Sequence, residues 1–272
     1  MKNTTHFRTI VISDLHLGTS GSKAKEVTNF LKQYKCRKLI LNGDIIDGWQ
    51  LKKYGAWKKK HTAFFKTVLK MMDEYNTKVI YLRGNHDDFM DQIMPLKLGK
   101  QFQIRKDYIL KSGDKRFYVT HGDVFDSITT HLKWLAYLGD MGYTFLLWVN
   151  KLYNQYRTWR GLPYYSLSQV IKLKVKAAVS YISDFEEKLT ELARSRDCDG
   201  IICGHIHQPA IREIDGLTYM NSGDWVESLS ALVEDEDGHW SLMYYKEEEI
   251  TAPKEPIIST FFGRKERLID VG

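Results

Sequence analysis

Lys78-Val79-Ile80-Tyr81-Leu82-Arg83-Gly84-Asn85-His86-Asp87 decides how this chain folds. Its first five residues are a β-type run, so residues 78–82 read as a strand that ends where a loop begins. Gly84 lets the backbone turn. An amide, an imidazole and a carboxylate then stand in a row. The Asn85 side-chain oxygen is a neutral, hard donor suited to a cation. His86 cannot easily point the same way, which places it to meet a substrate.

The same pattern recurs along the chain. A strand at 9–13 runs into Asp14-Leu15-His16-Leu17. A strand at 38–41 runs into Asn42-Gly43-Asp44-Ile45-Ile46-Asp47. Between them, residues 22–34 read as a helix with Val27, Phe30, Leu31 and Tyr34 on one face. Residues 57–74 read as a second, with Phe64, Phe65, Val68, Leu69 and Met72 at helical spacing. This β-α-β-α-β order, each strand closing on polar residues, predicts a sheet with its ligand site beyond the carboxyl ends of its strands.

From Gln103 the rhythm changes. Residues 108–110 and 116–120, joined by Ser112-Gly113-Asp114, read as a hairpin ending at His121-Gly122-Asp123. The strand at 200–203 ends in Gly204-His205-Ile206-His207, and the one at 217–220 in Asn221-Ser222-Gly223-Asp224-Trp225. Strands at 230–233 and 239–245 close a meander, with Asp237-Gly238 as its turn.

Residues 125–182 stand apart. They carry Phe125, Trp134, Tyr137, Tyr143, Phe145, Trp148, Tyr153, Tyr156, Trp159, Tyr164 and Tyr165, with seven Lys/Arg against two Asp. Their spacing predicts helices apolar on two faces, which must bury both or give one to a ligand, a partner or lipid. The expected organisation is one domain over 1–246, with 125–182 as a helical insertion over the site, and a charged, Pro-containing tail at 247–272. Residues 183–196 read as a further polar helix.

With 272 residues, 43% of them hydrophobic, the chain can bury a substantial core. It has no run of 18 uncharged apolar residues, so no membrane span is expected. The start shows no signal-peptide h-region. Cys36, Cys198 and Cys203 form no CxxC, and their odd number suggests reduced thiols in a cytoplasmic protein. The net charge of +6, concentrated in the insertion, suits anionic substrates or an anionic surface.

Five strand-end loops thus supply Asp14, His16, Asp44, Asn85, His121, His205 and His207. Seven donors are too many for one tetrahedral ion but suit a two-metal centre. Asp44 is the natural bridge because its carboxylate has two oxygens to offer. Two adjacent ions clamp a phosphate and lower the pKa of water between them. Mixed imidazole and oxygen donors suit Mn, Fe or Zn more than Ca. Asp47 reads equally as a partner to this centre or as a cap for the following turn. Asp123 and Asp224 read as loop supports, and His6, His61, His131 and His239 as surface or core histidines.

These five motifs, in this order over residues 14–207, resemble those of the calcineurin-like metallophosphoesterases. The resemblance implies two packed mixed β-sheets flanked by helices, an α/β sandwich, and two divalent ions, with manganese first among them. It places Asp14, His16, Asp44 and His207 on one ion, and Asp44, Asn85, His121 and His205 on the other. It puts His86 on the phosphoryl group, oriented by Asp87. More narrowly, Ser13 to Leu17, Gly43 to Trp49 and the insertion after His121 resemble the UDP-2,3-diacylglucosamine hydrolases of lipid A synthesis. The best-known branch of that group has Arg where this chain has His86, the general family form. This resemblance implies pyrophosphate cleavage at the inner face of the membrane, with a phosphorylated lipid or small-molecule substrate and Trp49, Arg157 and Arg160 as candidate contacts. The competing readings are a phosphodiesterase for cyclic nucleotides or nucleic acid, and a scaffold that docks a partner through the insertion. The basic segment is interleaved with aromatics, unlike a nuclease groove, and the intact donor set speaks against a scaffold.

Overall fold

Strands β1 (His6–Ile12), β2 (Lys35–Asn42) and β3 (Lys78–Leu82) run parallel and side by side. They are the centre of a seven-stranded sheet, with β5 (Phe102–Arg105) and β4 (Leu96–Leu98) beyond β3. On the other side β1 pairs antiparallel with β11 (Ser230–Glu234), and β11 with β12 (Trp240–Tyr244). A second sheet of five strands has β7 (Lys115–Thr120), β8 (Gly200–Cys203) and β10 (Leu217–Asn221) running parallel at its centre. Strands β6 (Asp107–Ser112) and β9 (Ala210–Ile214) flank them antiparallel. The computed structural model describes residues 5–55, 57–124, 140–162 and 167–246.

The central strands are apolar at successive positions because both of their faces are covered. Val11, Ile40, Ile80 and Leu82 of the first sheet meet Leu110, Phe117, Val119, Ile202 and Met220 of the second, all buried. The outer face of the first sheet carries Ile10, Ile12, Leu39, Leu41 and Val79. These pack against α1 (Ala24–Gln33) through Val27, Phe30 and Leu31, and α3 (Lys59–Tyr75) through Phe64, Val68 and Met71. The outer face of the second sheet, with Tyr118, Ile201, Cys203 and Tyr219, packs on Phe185, Leu189 and Ala193 of α5 (Leu167–Arg194). The result is four layers, helix-sheet-sheet-helix, as expected.

Some boundaries differ from the sequence reading. Leu69, assigned to the buried face of α3, is 61% exposed, and Met71 is buried in its place. The short helix α2 (Gly48–Tyr54) buries none of its residues, so no apolar period announces it. Residues 167–194 form one unbroken helix, so position 182 falls inside α5. The preceding helix, α4 (Asp140–Trp159), packs on α5. Phe125, Trp134, Tyr137, Tyr164, Tyr165 and His131 lie outside the described residues, as does the tail at 247–272. Nothing is described of the side chains of Tyr143, Phe145 and Trp148. Among the described residues, no helix is long and apolar enough to cross a membrane. Cys36, Cys198 and Cys203 are buried free thiols.

Candidate metal centre

Parallel strands end on the same side, so β1, β2, β3, β7 and β8 deliver five loops to one rim spanning both sheets. Asp14, His16, Asp44, Asn85, His121, His205 and His207 all sit on these loops. One donor atom each from Asp14, His16 and His207 lie within 4.8 Å of one another, and so do those of Asp44, His121 and His205. His207 Nε2 is 3.1 Å from Asp14 Oδ1. Asp44 Oδ2 is 3.8 Å from His16 Nε2 and 3.4 Å from His121 Nε2, so it stands between the two groups.

Backbone conformation aims these groups. Asp14, His16, Asp44, His205 and His207 have φ of 55°, 46°, 53°, 69° and 56°. That left-handed region costs an L-residue roughly 1–2 kcal/mol, and Asp and His are among the few types enriched there. Interlocking loops hold it: the N–H groups of Asp14 and His16 donate to the carbonyls of Gly43 and Asp44 at 3.0 and 2.9 Å. A Cβ on Gly84 would overlap Asp44 and His121, and one on Gly204 would overlap Ser13 and Asp14. Both glycines are therefore fixed by the close approach of loops carrying ligand-type side chains.

The donor set fits a cation. Asn85 Oδ1 is buried and accepts no hydrogen bond among the described residues, an arrangement rare in proteins unless something else satisfies the oxygen. The carbonyl of Asn42 lies 2.9 Å from His121 Nδ1, which leaves Nε2 facing Asp44. Burial alone would raise the Asp14 and Asp44 carboxyls. The imidazoles outweigh it, chiefly His207 at Asp14 and His121 at Asp44, and both are held below the usual carboxylate range. Burial likewise opposes the charged form of His121, yet Asp44 and Asp14 push its pKa up to about 10. Such a negative pocket, lined by imidazoles, can exchange protons for a metal cation.

Two sequence expectations change. Asp87 does not orient His86. Its carboxylate turns inward and accepts the N–H groups of Ile45 and Ile46 at 3.0 and 2.8 Å and the Tyr81 hydroxyl at 3.0 Å. Burial, then the charge of Asp44, pushes the Asp87 pKa up to about 7. The group beside His86 is Asp47, whose Oδ2 lies 3.1 Å from His86 Nδ1 and 3.4 Å from His16 Nδ1. Asp47 also caps α2 by accepting the Gln50 N–H at 2.8 Å, so both readings of it hold. Asp44 offers one oxygen rather than two between the groups, because Oδ1 accepts the His86 N–H at 2.8 Å.

Trp49 lies over His86, with ring centroids 4.3 Å apart, and is 51% exposed. Arg157 and Arg160 lie on and just beyond α4, over the rings of Tyr153 and Tyr156. Glu186 on α5 is engaged by Arg212 at 3.1 Å. Asp123 meets Arg83, and Asp224 accepts the N–H groups of Val226 and Glu227, so both do support loops. The sequence reading missed Tyr81 and Phe185. The Tyr81 hydroxyl fixes Asp87, and Phe185 packs on the His205 ring at 6.2 Å. A tyrosine interrupting the aliphatic run of a buried strand was the available signal for the first; Phe185 gave none.

The sequence profile of the calcineurin-like phosphoesterases matches residues 7–209. No curated protein matches. Among solved structures, an archaeal phosphodiesterase is similar at 13% identity and a TM-score of 0.41, covering 87% of this chain and 98% of its own. Yfce, a phosphoesterase from E. coli, is similar at 16% identity and 0.41, covering 88% and 99%. Vps29 from Chaetomium thermophilum is similar at 10% identity and 0.41, covering 89% and 98%. With the profile spanning most of its length, this chain belongs to the calcineurin-like phosphoesterase family and is a metal-dependent phosphohydrolase.

Proposed function

We propose that the enzyme hydrolyses the pyrophosphate of a lipid-linked nucleotide sugar of the UDP-2,3-diacylglucosamine type, releasing UMP and a diacyl sugar phosphate. Asp14, His16, Asp44 and His207 would hold one divalent ion, and Asp44, Asn85, His121 and His205 the other. The donor types suit manganese, with iron or zinc as substitutes. Bound there, the ions supply positive charge to the phosphoryl oxygens and acidify water. His86 stands at the edge of this centre and delivers a proton to the leaving oxygen from Nε2, while Asp47 holds Nδ1. Trp49 covers the outer face of His86.

The observation that carries the lipid part is the outward face of α4. Leu152, Tyr153, Tyr156 and Trp159 are 46%, 41%, 51% and 79% exposed, beside Arg157 and Arg160. Exposed apolar rings next to guanidinium groups match an acyl chain attached to a phosphate. The same face suits shallow contact with the inner surface of a cytoplasmic membrane.

The test supplies Mn²⁺-loaded protein with UDP-2,3-diacylglucosamine and, separately, with bis-p-nitrophenyl phosphate. Release of UMP at a kcat/KM well above that for the small diester supports the reading. Turnover of the diester alone, or of a cyclic nucleotide, replaces it with a phosphodiesterase of soluble substrates. No turnover of any of them, with metal bound, favours a partner-docking scaffold.

A further inference from the structure

The two donor groups are not tied together in the same way. Asp14 and His207 come from different sheets, but direct hydrogen bonds hold the Asp14 loop to the His207 loop and to the loop after β10. The His205 N–H donates to Asp14 Oδ2 at 3.0 Å, the Trp225 N–H donates to the Asp14 carbonyl at 3.1 Å, and Ser13 Oγ is 2.7 Å from Ser222 Oγ. The second group also straddles the seam, with Asp44 and Asn85 on the first sheet and His121 and His205 on the second. Here hydrogen bonds join Asn42 to Thr120 and His121 at 3.1 and 2.9 Å, and an ion pair ties in the Asn85 loop. Arg83 is the last residue before the Gly84-Asn85 turn, and its Nη1 donates to Asp123, two residues past His121. Its Nε and Nη2 donate to Asp91 at 3.0 and 3.4 Å, on the 3₁₀ segment that begins at Asn85. Its own N–H donates to the Arg105 carbonyl at 3.1 Å.

The Arg83 and Asp123 side chains are only 16% and 12% exposed, so this is not the solvated surface pair that contributes almost nothing. A guanidinium is planar and presents a rigid fork of donors, so it can satisfy two carboxylates from fixed directions where an ammonium cannot. We infer that Arg83 is a positioning residue that locks the Asn85 loop to the His121 loop and thereby sets the affinity of one metal site but not the other. The inference rests on the two-metal reading. It concerns the Asp44, Asn85, His121 and His205 site; the site built on Asp14, His16 and His207 has its own cross-sheet hydrogen bonds.

The experiment is Mn²⁺ titration of the metal-free full chain by calorimetry, with bound manganese counted by electron paramagnetic resonance. Wild type, Arg83→Met, Arg83→Lys and Asp123→Asn are compared. Wild type should bind two ions. Arg83→Met should keep one at wild-type affinity and bind the second about 10- to 100-fold more weakly, the usual effect of removing a residue that orients a ligand. Asp123→Asn should reproduce that loss if Arg83→Met proves unfolded, and Arg83→Lys should restore only part of the affinity. Equal affinities for both ions in the variants, or equal weakening at both sites, would overturn the inference. Fewer than two ions in wild type would instead sink the two-metal reading.

Discussion

The metal rim and the outward face of α4 are opposite kinds of surface on one chain. At the rim, Asp14 and His121 are fully buried and five ligand-type residues accept a costly backbone conformation. Along the second half of α4, four apolar side chains stand at least 41% exposed, and their cations lie over rings of their own helix. The rim is over-determined, since interlocking loop hydrogen bonds and close-approach glycines fix the loops that carry its donors. The α4 face is under-determined: local geometry places its rings but does not say what they meet. Reaction class is therefore written into the rim, while the proposed reading assigns substrate choice to the face.

The largest break in that division is at the rim. Asp44→Asn or His121→Ala should reduce hydrolysis of bis-p-nitrophenyl phosphate to background and lower bound manganese below two ions per chain, read by metal analysis. Two ions retained by Asp44→Asn would remove it from the centre. A step smaller, His86→Ala should lower kcat by about 10²- to 10⁴-fold, the range for losing a general acid, with both ions kept. Asp47→Asn should lower kcat by about 10- to 100-fold, because it holds His86 and His16 without touching substrate. An Asp47→Asn enzyme as active as wild type would return the orienting role to another group.

Proton linkage gives a third contrast. His121 titrates near 6.5 when unfolded and is pushed up to about 10 in the fold. A raised histidine stabilises fully below its unfolded value, and that contribution is lost as pH climbs through the folded one. Asp87 acts in the same direction. Raised to about 7, it opposes folding increasingly as pH rises from its unfolded value near 3.9 to about 7. Metal-free protein should therefore melt lower at about pH 9 than at about pH 5. Mn²⁺ should add more stability at the higher value, because it takes the place of the His121 proton. Melting curves with EDTA and with Mn²⁺ check both signs; a metal-free melting point that rises over this interval contradicts them.

The smallest expected effect lies on the face. Tyr156→Ala and Trp159→Ala should raise KM for an acylated substrate by about tenfold, the equivalent of losing part of one buried side chain. They should leave the small diester unchanged and alter stability by no more than about 0.5 kcal/mol. Equal losses on both substrates would mean that the helix supports the rim instead.

The parallel strands and the loops that bring the donor-type residues together were legible because apolar runs end abruptly in Asp, His and Asn, as at Leu82 or Cys203. Less legible was anything set by direction instead of order. Asp87 follows His86 in sequence, yet on a 3₁₀ segment successive side chains diverge by about a third of a turn, so it enters the core while Asp47, distant in sequence, meets the imidazole. Strands β4, β5 and β9 are three to five residues long, and β9 is an edge strand carrying Arg212 and Glu213. Charges there blunt the strand signal while protecting the edge. Arg83 lies within the stretch that decides the fold, but its partner Asp123 is 40 positions away, beyond any local pattern.

Helix α5 has 28 residues and so extends about 42 Å at 1.5 Å per residue. About two-thirds of the way along it, Phe185 packs on the His205 ring and against Gly122. One helix thus begins within the insertion, passes the His205 ring and runs on to Arg194. A displacement at the start of α5 would therefore reach the His205 imidazole through unbroken helix.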